Sequence, residues 1–564
     1  MPQRSPAFYG SYLLFIAGMG GLLYGIDVGI IAAALLFLGK TISLSLTQTS
    51  LIVAAVTGGS MFGSLVAGAL ADWFGRKAMM IVSAVLFIVS VVLIVVSHGF
   101  VVLFAGRLLQ GISGGVIAVV VPLYLAECLP ASNRGKGSAI FQFLLTVGIV
   151  IASATGWYFT RQAGIAIAAA HGNAAAILAA ENHAWRGMFL SVIYPGIVFF
   201  AGSFFLSESP RWLFRRRRSE DALRALRRAS SEEDALLEMH EMQTITAEGK
   251  QAKGAGGSLL QRKYVIPFVL ACIILACNQT TGINSVLAYL VIILKQAGMT
   301  ARHATQGDLV VKLLNCVMTV VAIALVDRRG RKFLLVLGTT GIIIALTTGA
   351  LLFHSFETDR VSVKSQIQSH IQNNAVDLPL TQLPAQSAHP NAPMALTVLY
   401  SYGQGEQAAN ILTTDTEPIL RLQPSSAPHP KPLQIRAASY GPVPSQKTGW
   451  FIAACIALFI ASFAVGPGVV VWLTLSELMP TRIRSSGMGI ALVLNQGVST
   501  AIQGVFLPVV SHYGYATMFG FWAACTVIYF ITAAFFLPET KGKTLEEIEL
   551  SFAQGSSSTE GASS

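Results

Sequence analysis

The hexapeptide Asp72-Trp-Phe-Gly-Arg-Lys77 recurs in altered form as Asp327-Arg-Arg-Gly-Arg-Lys332, and each copy lies between two long apolar runs. A second shared pattern, Glu-x-x-Pro-x-x-x-Arg, follows in each half, at Glu127–Arg134 and at Glu477–Arg484. Self-similarity at matched positions marks an internal repeat. Parallel repeats of apolar helices, with polar groups buried where the halves meet, are an architecture for moving a solute across a bilayer.

The composition is that of a membrane protein. Hydrophobic residues make up 53% of the 564 residues, charged residues make up 12%, and the mean hydropathy is +0.62, whereas soluble domains carry about 25% charged residues. The net charge of +11 could suggest nucleic acid as a partner, but basic residues lie in short segments between apolar runs, as at 215–218. Membrane topology explains this placement, so we expect contact with a lipid bilayer and not with nucleic acid.

Twelve stretches reach the roughly 20 mostly apolar residues that a membrane-spanning helix needs. They are 11–36, 50–71, 78–97, 101–127, 137–160, 187–207, 264–294, 306–326, 333–354, 449–475, 486–511 and 516–537. We therefore predict an all-α membrane protein with twelve transmembrane helices in two pseudo-symmetric six-helix bundles. The basic segments then share one side, and since such segments stay cytoplasmic, both termini are predicted to be cytoplasmic. The first span is read as a helix and not as a removable signal.

The repeat also locates an insertion. Asp72 and Glu127 are 55 positions apart, whereas Asp327 and Glu477 are 150 apart. The excess falls in a polar segment, about 354–449, that holds 11 of the 22 prolines. We predict a long external loop between helices 9 and 10, either a small lid or a disordered segment.

Two smaller features complete the predicted organisation. A second, smaller insertion is expected on the external side, at 161–184. Amphipathic cytoplasmic helices are expected at 219–242, where they either have a function of their own or simply link the halves. The predicted domains are an N-terminal six-helix bundle (1–208), cytoplasmic linker helices (209–263), the two parts of a C-terminal bundle (264–354 and 449–538), the loop insertion (355–448) and a cytoplasmic tail (539–564).

Asp27 lies in the middle of the first apolar span, where an unpaired charge costs on the order of 3 kcal/mol or more. Arg107, at the start of the fourth span, is its predicted partner. Burial favours a protonated carboxyl, whereas a nearby guanidinium favours the carboxylate. Such a pair can bind a proton when it separates and release it when it forms. The alternative is a structural ion pair that holds two helices in register.

Amides isolated in apolar spans predict a site for a polyol, because they offer donors and acceptors to hydroxyl groups without adding charge. They are Gln142, Asn278, Gln279, Asn284, Asn315 and Asn495. Trp472, one turn after the helix-breaking 466–468 segment, offers an aromatic face, and Tyr24 could link the ligand to Asp27. The alternatives are amides that join helices, at about 0.6 kcal/mol each, and an interfacial tryptophan.

Charged residues cluster at the predicted cytoplasmic ends of the spans. They are Asp72, Arg76, Arg134 and Glu208 in the first half, and Asp327, Arg331, Glu477, Arg484 and Glu539 in the second. Opposite charges at these ends could bridge the halves when the inside is closed and separate when it opens, which predicts a gate. The alternative is positive-inside topology together with helix-end electrostatics.

Read in order, the motifs of this chain resemble those of the sugar porter family of the major facilitator superfamily. The stretches are 68–77, Arg107-Leu-Leu-Gln-Gly111, Pro122-Leu-Tyr-Leu-Ala-Glu127, Glu208-Ser-Pro-Arg-Trp-Leu213, Asn278-Gln-Thr-Thr-Gly-Ile-Asn284, Gly466-Pro-Gly468 with Trp472, and Pro538-Glu-Thr-Lys-Gly542. The resemblance covers nearly everything except the two external insertions. It aligns Asp27 and Arg107 with the aspartate and arginine of bacterial proton-coupled xylose symporters, and Trp472 with the aromatic residue that stacks on the sugar.

The resemblance implies a secondary active transporter. We expect proton-coupled symport of a monosaccharide, a hexose or a pentose, across the cytoplasmic membrane by alternating access, carried out by a monomer. An uncoupled sugar or polyol facilitator and a transporter-like nutrient receptor stay open. Asn278, Ala288 and Gln496 depart from the family's usual glutamine, tyrosine and tryptophan, so the substrate could differ from glucose or xylose. No enzyme activity, cofactor or metal site is expected, because no nucleophile motif or metal-spaced cluster is present.

Overall fold

A computed structural model describes residues 6–129, 134–251, 262–383, 394–403, 405–413, 418–423, 431–442, 446–479 and 484–539. For a few residues inside its helices only the backbone is described. Five predicted site residues are among them: Arg134, Asp327, Trp472, Glu477 and Arg484. The predictions made for these five side chains therefore lie outside the described residues.

The described chain is mostly helical. The helices of its first half and of the segment joining the halves are α1 (Pro6–Thr41), α2 (Leu46–Phe74), α3 (Arg76–Val96), α4 (Phe100–Cys128), α5 (Arg134–Ala169), α6 (Ala174–Ser191), α7 (Ile193–Phe204), α8 (Pro210–Arg215), α9 (Ser219–Ala229) and α10 (Glu232–Gln251). Those of the second half are α11 (Arg262–Thr280), α12 (Ile283–Gln296), α13 (Ala301–Arg329), α14 (Arg331–Glu357), α15 (Lys364–Ser369), α16 (Gln446–Phe463), α17 (Val469–Leu478) and α18 (Arg484–Ile531). Wider π-helical turns follow α16 and α18, at Ala464–Gly468 and Thr532–Phe536.

Eleven segments within the described ranges are long and apolar enough to cross a membrane. Each of the first ten predicted spans coincides with one of them. The last two predicted spans fall together in a single segment, Gly487–Phe536, which has 50 residues. A continuous helix of that length would extend about 75 Å, far more than the ~30 Å of hydrocarbon. The segment is broken at Gly514, whose φ of 83° and ψ of 167° are not helical.

The repeated hexapeptides build the same turn in both halves. Gly75 separates α2 from α3 with a φ of 98°, and Gly330 separates α13 from α14 with a φ of 91°. A Cβ atom at these glycines would lie only 2.3 Å from Glu208 and 2.6 Å from Glu539. Each carboxylate accepts hydrogen bonds from the first two backbone N–H groups of the helix that follows, at 2.9 and 3.1 Å in the first half and 3.1 and 3.2 Å in the second. Negative charge is favourable at a helix N-terminus, so the sequence repeat is also a structural repeat.

The two halves pack against each other along three pairs of helices. Within the first half, α1 lies on α5 and α2 on α4; within the second, α18 lies on α11 and α14. Between the halves, α2 contacts α18, α5 contacts α13, and α1 contacts α12. One hydrophobic cluster includes buried residues of both halves. The space between these helix pairs is where the candidate site lies.

Helices do form at 219–242, as predicted. α9 and α10 bury a small apolar cluster that includes Leu213 of α8, Leu226 of α9 and Met239 of α10. The second predicted excess, 161–184, lengthens α5 and begins α6.

The prediction of an all-α chain is wrong between α14 and α16. Four strands there form an antiparallel sheet in the order β1-β6-β3-β4, and two more pair separately. The strands are β1 (Val361–Ser362), β2 (Val376–Pro379), β3 (Met394–Ser401), β4 (Gln407–Leu412), β5 (Ile419–Leu422) and β6 (Gln434–Pro442). Tyr440 of the central strand β6 is paired on both sides: it lies opposite Val361 of β1 on one side and opposite Leu396 of β3 on the other.

This β insertion, residues 358–442, has its own apolar core. Leu396 and Val398 of β3 pack with Leu420 of β5 and Ile435 of β6. The strands are only two to nine residues long, and they are separated by proline-rich stretches. In the two longest strands, β3 and β6, buried and exposed residues do not alternate strictly, so the sequence shows little of the period-2 pattern that predicts a strand.

Candidate functional site

A cavity of about 220 Å³ lies between the two halves. Its walls come from α1, α2, α4 and α5 of the first half and, in the second, from α11, α12, α13, α16, α17, α18 and the π-helical turn after α16. Seven of the eight side chains predicted to bind substrate line it: Tyr24, Gln142, Asn278, Gln279, Asn284, Asn315 and Asn495. The eighth, Trp472, belongs to α17, and its side chain lies outside the described residues. Residues spread over almost 500 positions of the chain therefore meet at one place.

A break between α11 and α12 places amides on the cavity wall. α11 ends at Thr280, and α12 begins after Gly282, which has a φ of 83°. On either side of the break, Gln279 Nε2 donates to Asn495 Oδ1 at 3.1 Å, and Asn284 Nδ2 donates to Gln279 Oε1 at 2.9 Å. These bonds hold the three amides in fixed orientations.

The amide network continues into α18 and back to α11. Asn284 Nδ2 also donates to the Ser499 hydroxyl at 2.9 Å, and Asn495 Nδ2 donates to the Leu275 carbonyl at 3.2 Å. Amides that are ordered before a ligand arrives lose less entropy when they bind it.

Asn278 is the exception in this network. It is 2% exposed, and its Oδ1 has no hydrogen-bond partner among the described residues. An unsatisfied buried acceptor costs about 1–3 kcal/mol. Since Asn278 lines the cavity, a hydroxyl group of a bound ligand would remove that cost.

Several polar side chains that line the cavity were not predicted to bind substrate. They are Thr57, Ser60, Thr146, Thr319, Gln496, Gln503 and Arg107, of which Gln496 was noted only as a departure and Arg107 only as a proton-site residue. Gln496 and Gln503 are amides in a predicted span, so the criterion that selected Asn495 could have found them. Hydroxyl residues are too common in membrane helices to be selected in this way, because they satisfy themselves on their own helix, as Thr319 does at 2.8 Å from the Asn315 carbonyl.

Asp27 and Arg107 form a buried ion pair beside the cavity. Arg107 Nη1 lies 3.0 Å from Asp27 Oδ1, and the two side chains are at most 1% exposed. The same Nη1 lies 2.6 Å from Gln110 Oε1, and the guanidinium carbon lies 5.4 Å from the centre of the Phe189 ring. Tyr24, one helical turn before Asp27, lines the cavity. Neither Gln110 nor Phe189 was predicted. Gln110 is an amide in a predicted span and could have been found by the criterion that selected Asn495, whereas Phe189 carries no local signal for this role.

Two of the residues predicted to form a gate, Asp72 and Arg76, make ion pairs within the first half. Arg76 Nη1 lies 2.8 Å from Asp72 Oδ1, and Arg76 Nε lies 2.8 Å from Glu127 Oε2. Arg215 lies 3.4 Å from Asp72 and 3.5 Å from Glu127. Glu127 belongs to the repeated Glu-x-x-Pro-x-x-x-Arg pattern but was not predicted to be a gate residue.

Three more gate residues lie at helix N-termini. Glu208 and Glu539 accept hydrogen bonds at the N-termini of α3 and α14, and Arg331, the first residue of α14, donates its backbone N–H to Glu539. Bridging between the halves stays a prediction, because the side chains of Arg134, Asp327, Glu477 and Arg484 lie outside the described residues.

A duplicated bundle of membrane helices with an amide-lined cavity between its halves defines a multi-pass membrane protein of the transporter class. The sequence profile described as "Sugar (and other) transporter" matches residues 13–365 and 437–552, so this chain belongs to the sugar porter family of the major facilitator superfamily. The profile leaves out residues 366–436, which lie inside the β insertion.

Individual relatives agree with this family. The chain is 28% identical to the glucose transporter GlcP of Staphylococcus epidermidis, over 95% of this chain and 96% of that protein. It is 26% identical to the galactose-proton symporter of Escherichia coli K12, over 96% and 94%. The fold is similar to that of the xylose transporter XylE from E. coli in a partially occluded inward-open conformation, with a TM-score of 0.68 at 21% identity, over 95% of this chain and 99% of that one.

Proposed function

We propose that this protein is a proton-coupled symporter of a monosaccharide, a hexose or a pentose, that works by alternating access. The observation that carries the proposal is the position of the Asp27–Arg107 pair. It lies beside a cavity whose amides suit the hydroxyl groups of a sugar, and Tyr24, one helical turn before Asp27, lines that cavity. The names of the relatives, which include a proton symporter, support the same assignment.

The coupling follows from electrostatics. When Asp27 takes up a proton, its attraction to the Arg107 guanidinium weakens, because a neutral carboxyl forms no ion pair. The two residues belong to α1 and α4, so a weaker pair changes how these helices pack beside the cavity. Sugar bound to the amides of α11, α12 and α18 then favours closure of the halves around it, and the proton and the sugar cross together.

The topology of the proposal has twelve spans, with the Gly487–Phe536 segment counted as two helices that meet at Gly514. Both termini lie in the cytoplasm, the membrane is the cytoplasmic membrane, and the β insertion lies outside. The two bundles, their linker helices and the tail keep the boundaries given by the sequence. The gate consists of the charged residues at the ends near Gly75 and Gly330, and the protein works as a monomer.

The test is uptake by purified protein in sealed liposomes. A panel of hexoses, pentoses and polyols is offered with and without an imposed proton gradient, while the external pH is recorded. Accumulation of at least one sugar above equilibrium, together with alkalinisation outside, is the expected result. No uptake of any saccharide, in protein that is folded and inserted, would contradict transport itself.

A second candidate function is an uncoupled facilitator. The observation that favours it is that the Asp27–Arg107 pair is formed and is supported by Gln110 and Phe189, as a static pair that holds helices in register would be. The same liposomes separate the two functions. A facilitator equilibrates its sugar at the same rate with and without the gradient and never accumulates it.

A further inference from the structure

A second ion pair is buried in the membrane-spanning part of the second half. Lys312 Nζ lies 2.9 Å from Asp308 Oδ1 and 3.1 Å from Asp308 Oδ2, one turn apart on α13. The side chains are 0% and 2% exposed. Charged residues inside a membrane helix are expensive and mark functional positions. Both residues stood in the predicted span 306–326 four positions apart, so the criterion applied to Asp27 could have found them.

Lys312 also reaches across the boundary between the halves. Its Nζ donates to the backbone carbonyl of Gly29, at 3.3 Å. Gly29 belongs to α1, two positions after Asp27. α1 is packed so closely on α5 that a Cβ atom at Gly25 would lie 1.9 Å from the Leu145 carbonyl oxygen. The acceptor therefore belongs to the tightly packed first half, whereas the donor belongs to the second.

A second contact crosses the same boundary one turn further along α13. The Thr146 hydroxyl of α5 donates to Cys316 Sγ at 3.4 Å, and Cys316 is buried. Cys316 follows Lys312 by four positions, so the two side chains share one face of the helix. That face of α13 packs on α5, and Lys312 reaches from it to α1. Separation of α13 from the first half would expose Cys316 further.

We propose that Lys312 is a positioning residue that ties α13 to α1 across the two halves, with Asp308 orienting its ammonium group. A charged donor makes a stronger hydrogen bond to a carbonyl than a neutral one, and the Asp308 carboxylate holds the Lys312 ammonium within reach of the Gly29 carbonyl. The tie must break whenever the halves separate along this boundary. It rests on the proposed alternating access and adds a second charge pair to it, on the opposite half from Arg107 and next to the helix that carries Asp27.

The native Cys316 reports on the tie. Purified protein in detergent, without sugar or a proton gradient, is treated with a small permeant thiol reagent, and labelling of each cysteine is followed by peptide mass spectrometry. In Lys312→Met, the reagent should label Cys316 about tenfold faster than in the unaltered protein. That factor corresponds to the lower end of the free energy contributed by a hydrogen bond from a charged group. Lys312→Arg keeps the charge and the donors and should label near the original rate. Cys455 on α16, half-buried, should label at an unchanged rate in all variants.

The decisive variant is the neutral pair, Asp308→Asn with Lys312→Met. It buries no unpaired charge, so it keeps the fold even if Lys312→Met alone does not. If the tie to α1 matters, Cys316 in the double variant labels as fast as in Lys312→Met. If the two residues only neutralise each other, the double variant labels at the original rate and the proposal is overturned. Lys447→Met, which removes an exposed charge at the start of α16, controls for the loss of a lysine and should leave labelling unchanged.

Failure of the tie and failure of the proposed function give different results. A protein that moves no sugar, but whose Cys316 responds to Lys312→Met and to the double variant, keeps the tie and loses the transport proposal. A protein that transports sugar, but whose Cys316 labels equally in all variants, keeps the transport proposal and loses the tie.

Discussion

Arg107 holds only one oxygen of Asp27. Its Nη1 lies 3.0 Å from Oδ1, whereas Oδ2 has no hydrogen-bond partner among the described residues. In the proposed mechanism, Oδ2 is therefore the oxygen that would take up a proton while the ion pair at Oδ1 is still formed. Protonation there would weaken the pair from a position that the guanidinium does not occupy.

Asp27→Asn should abolish uphill uptake and preserve exchange. The amide cannot carry a proton between the two sides, but it can still accept a hydrogen bond from Arg107. Accumulation driven by a pH gradient should fall to the equilibrium level, whereas counterflow of labelled sugar in the same liposomes persists. The control is Asp377→Asn on the exposed face of β2, which should accumulate sugar normally. Accumulation that survives in Asp27→Asn would show that coupling does not pass through this carboxyl.

Asn278 and Asn495 should respond differently to alanine. Asn278 Oδ1 has no partner among the described residues, so Asn278→Ala should raise the KM for the transported sugar about tenfold, the effect of one hydrogen bond, with little change in melting temperature. Asn495→Ala loses its bonds to Gln279 and to the Leu275 carbonyl, so it should raise the KM and also lower the melting temperature. Uptake kinetics and thermal unfolding in detergent measure both effects. Equal melting temperatures for the two variants would argue against the network.

Gly514→Ala should destabilise the second half. The residue has a φ of 83°, and a Cβ there would lie 2.4 Å from Glu357 Oε2. That carboxylate accepts from the backbone N–H groups of Tyr515 and Ala516, at 2.7 and 3.1 Å. We expect a loss of about 1–3 kcal/mol in the free energy of unfolding, the cost of a strained backbone position.

The matched control for that loss is Gly520→Ala in the same long segment. No atom lies within 4 Å of a Cβ at Gly520, and alanine is the better helix former by about 1 kcal/mol. Denaturant titration in micelles should therefore separate the two variants in opposite directions. If Gly514→Ala is as stable as Gly520→Ala, the segment does not turn at Gly514.

Leu396→Ala should loosen the β insertion without affecting the helix bundle. Leu396 is 0% exposed in the core of the insertion, and truncating a buried leucine costs about 2–5 kcal/mol. Amide hydrogen exchange should become faster across β3 and β6, while the amides of α1 and α5 keep their protection. Gln434→Ala at an exposed position of β6 is the control. Faster exchange throughout the chain would mean that the insertion and the bundle unfold together.

Much of the fold could be predicted from local pattern. The length and apolarity of the runs locate ten spans one by one, and the repeated hexapeptides locate the two halves. The pairing of Asp27 with Arg107 was also predicted, because a charge inside a membrane needs a partner and few candidates exist. The β insertion could not be predicted in the same way, since its strands are short and their pairing joins residues far apart, as Val361 joins Tyr440.

The sequence by itself determined the repeated membrane bundle. Each span can be recognised from about 20 consecutive apolar residues, and the repeat can be seen without any knowledge of contacts. Only the tertiary structure decided which polar residues meet. The amides of α11 and α18 bond across more than 200 positions, and Lys312 bonds to Gly29 across 283. Hydrogen bonds and ion pairs act over about 3 Å, so they depend on how helices pack, and helix packing is set by the whole surface of each helix and not by any one residue.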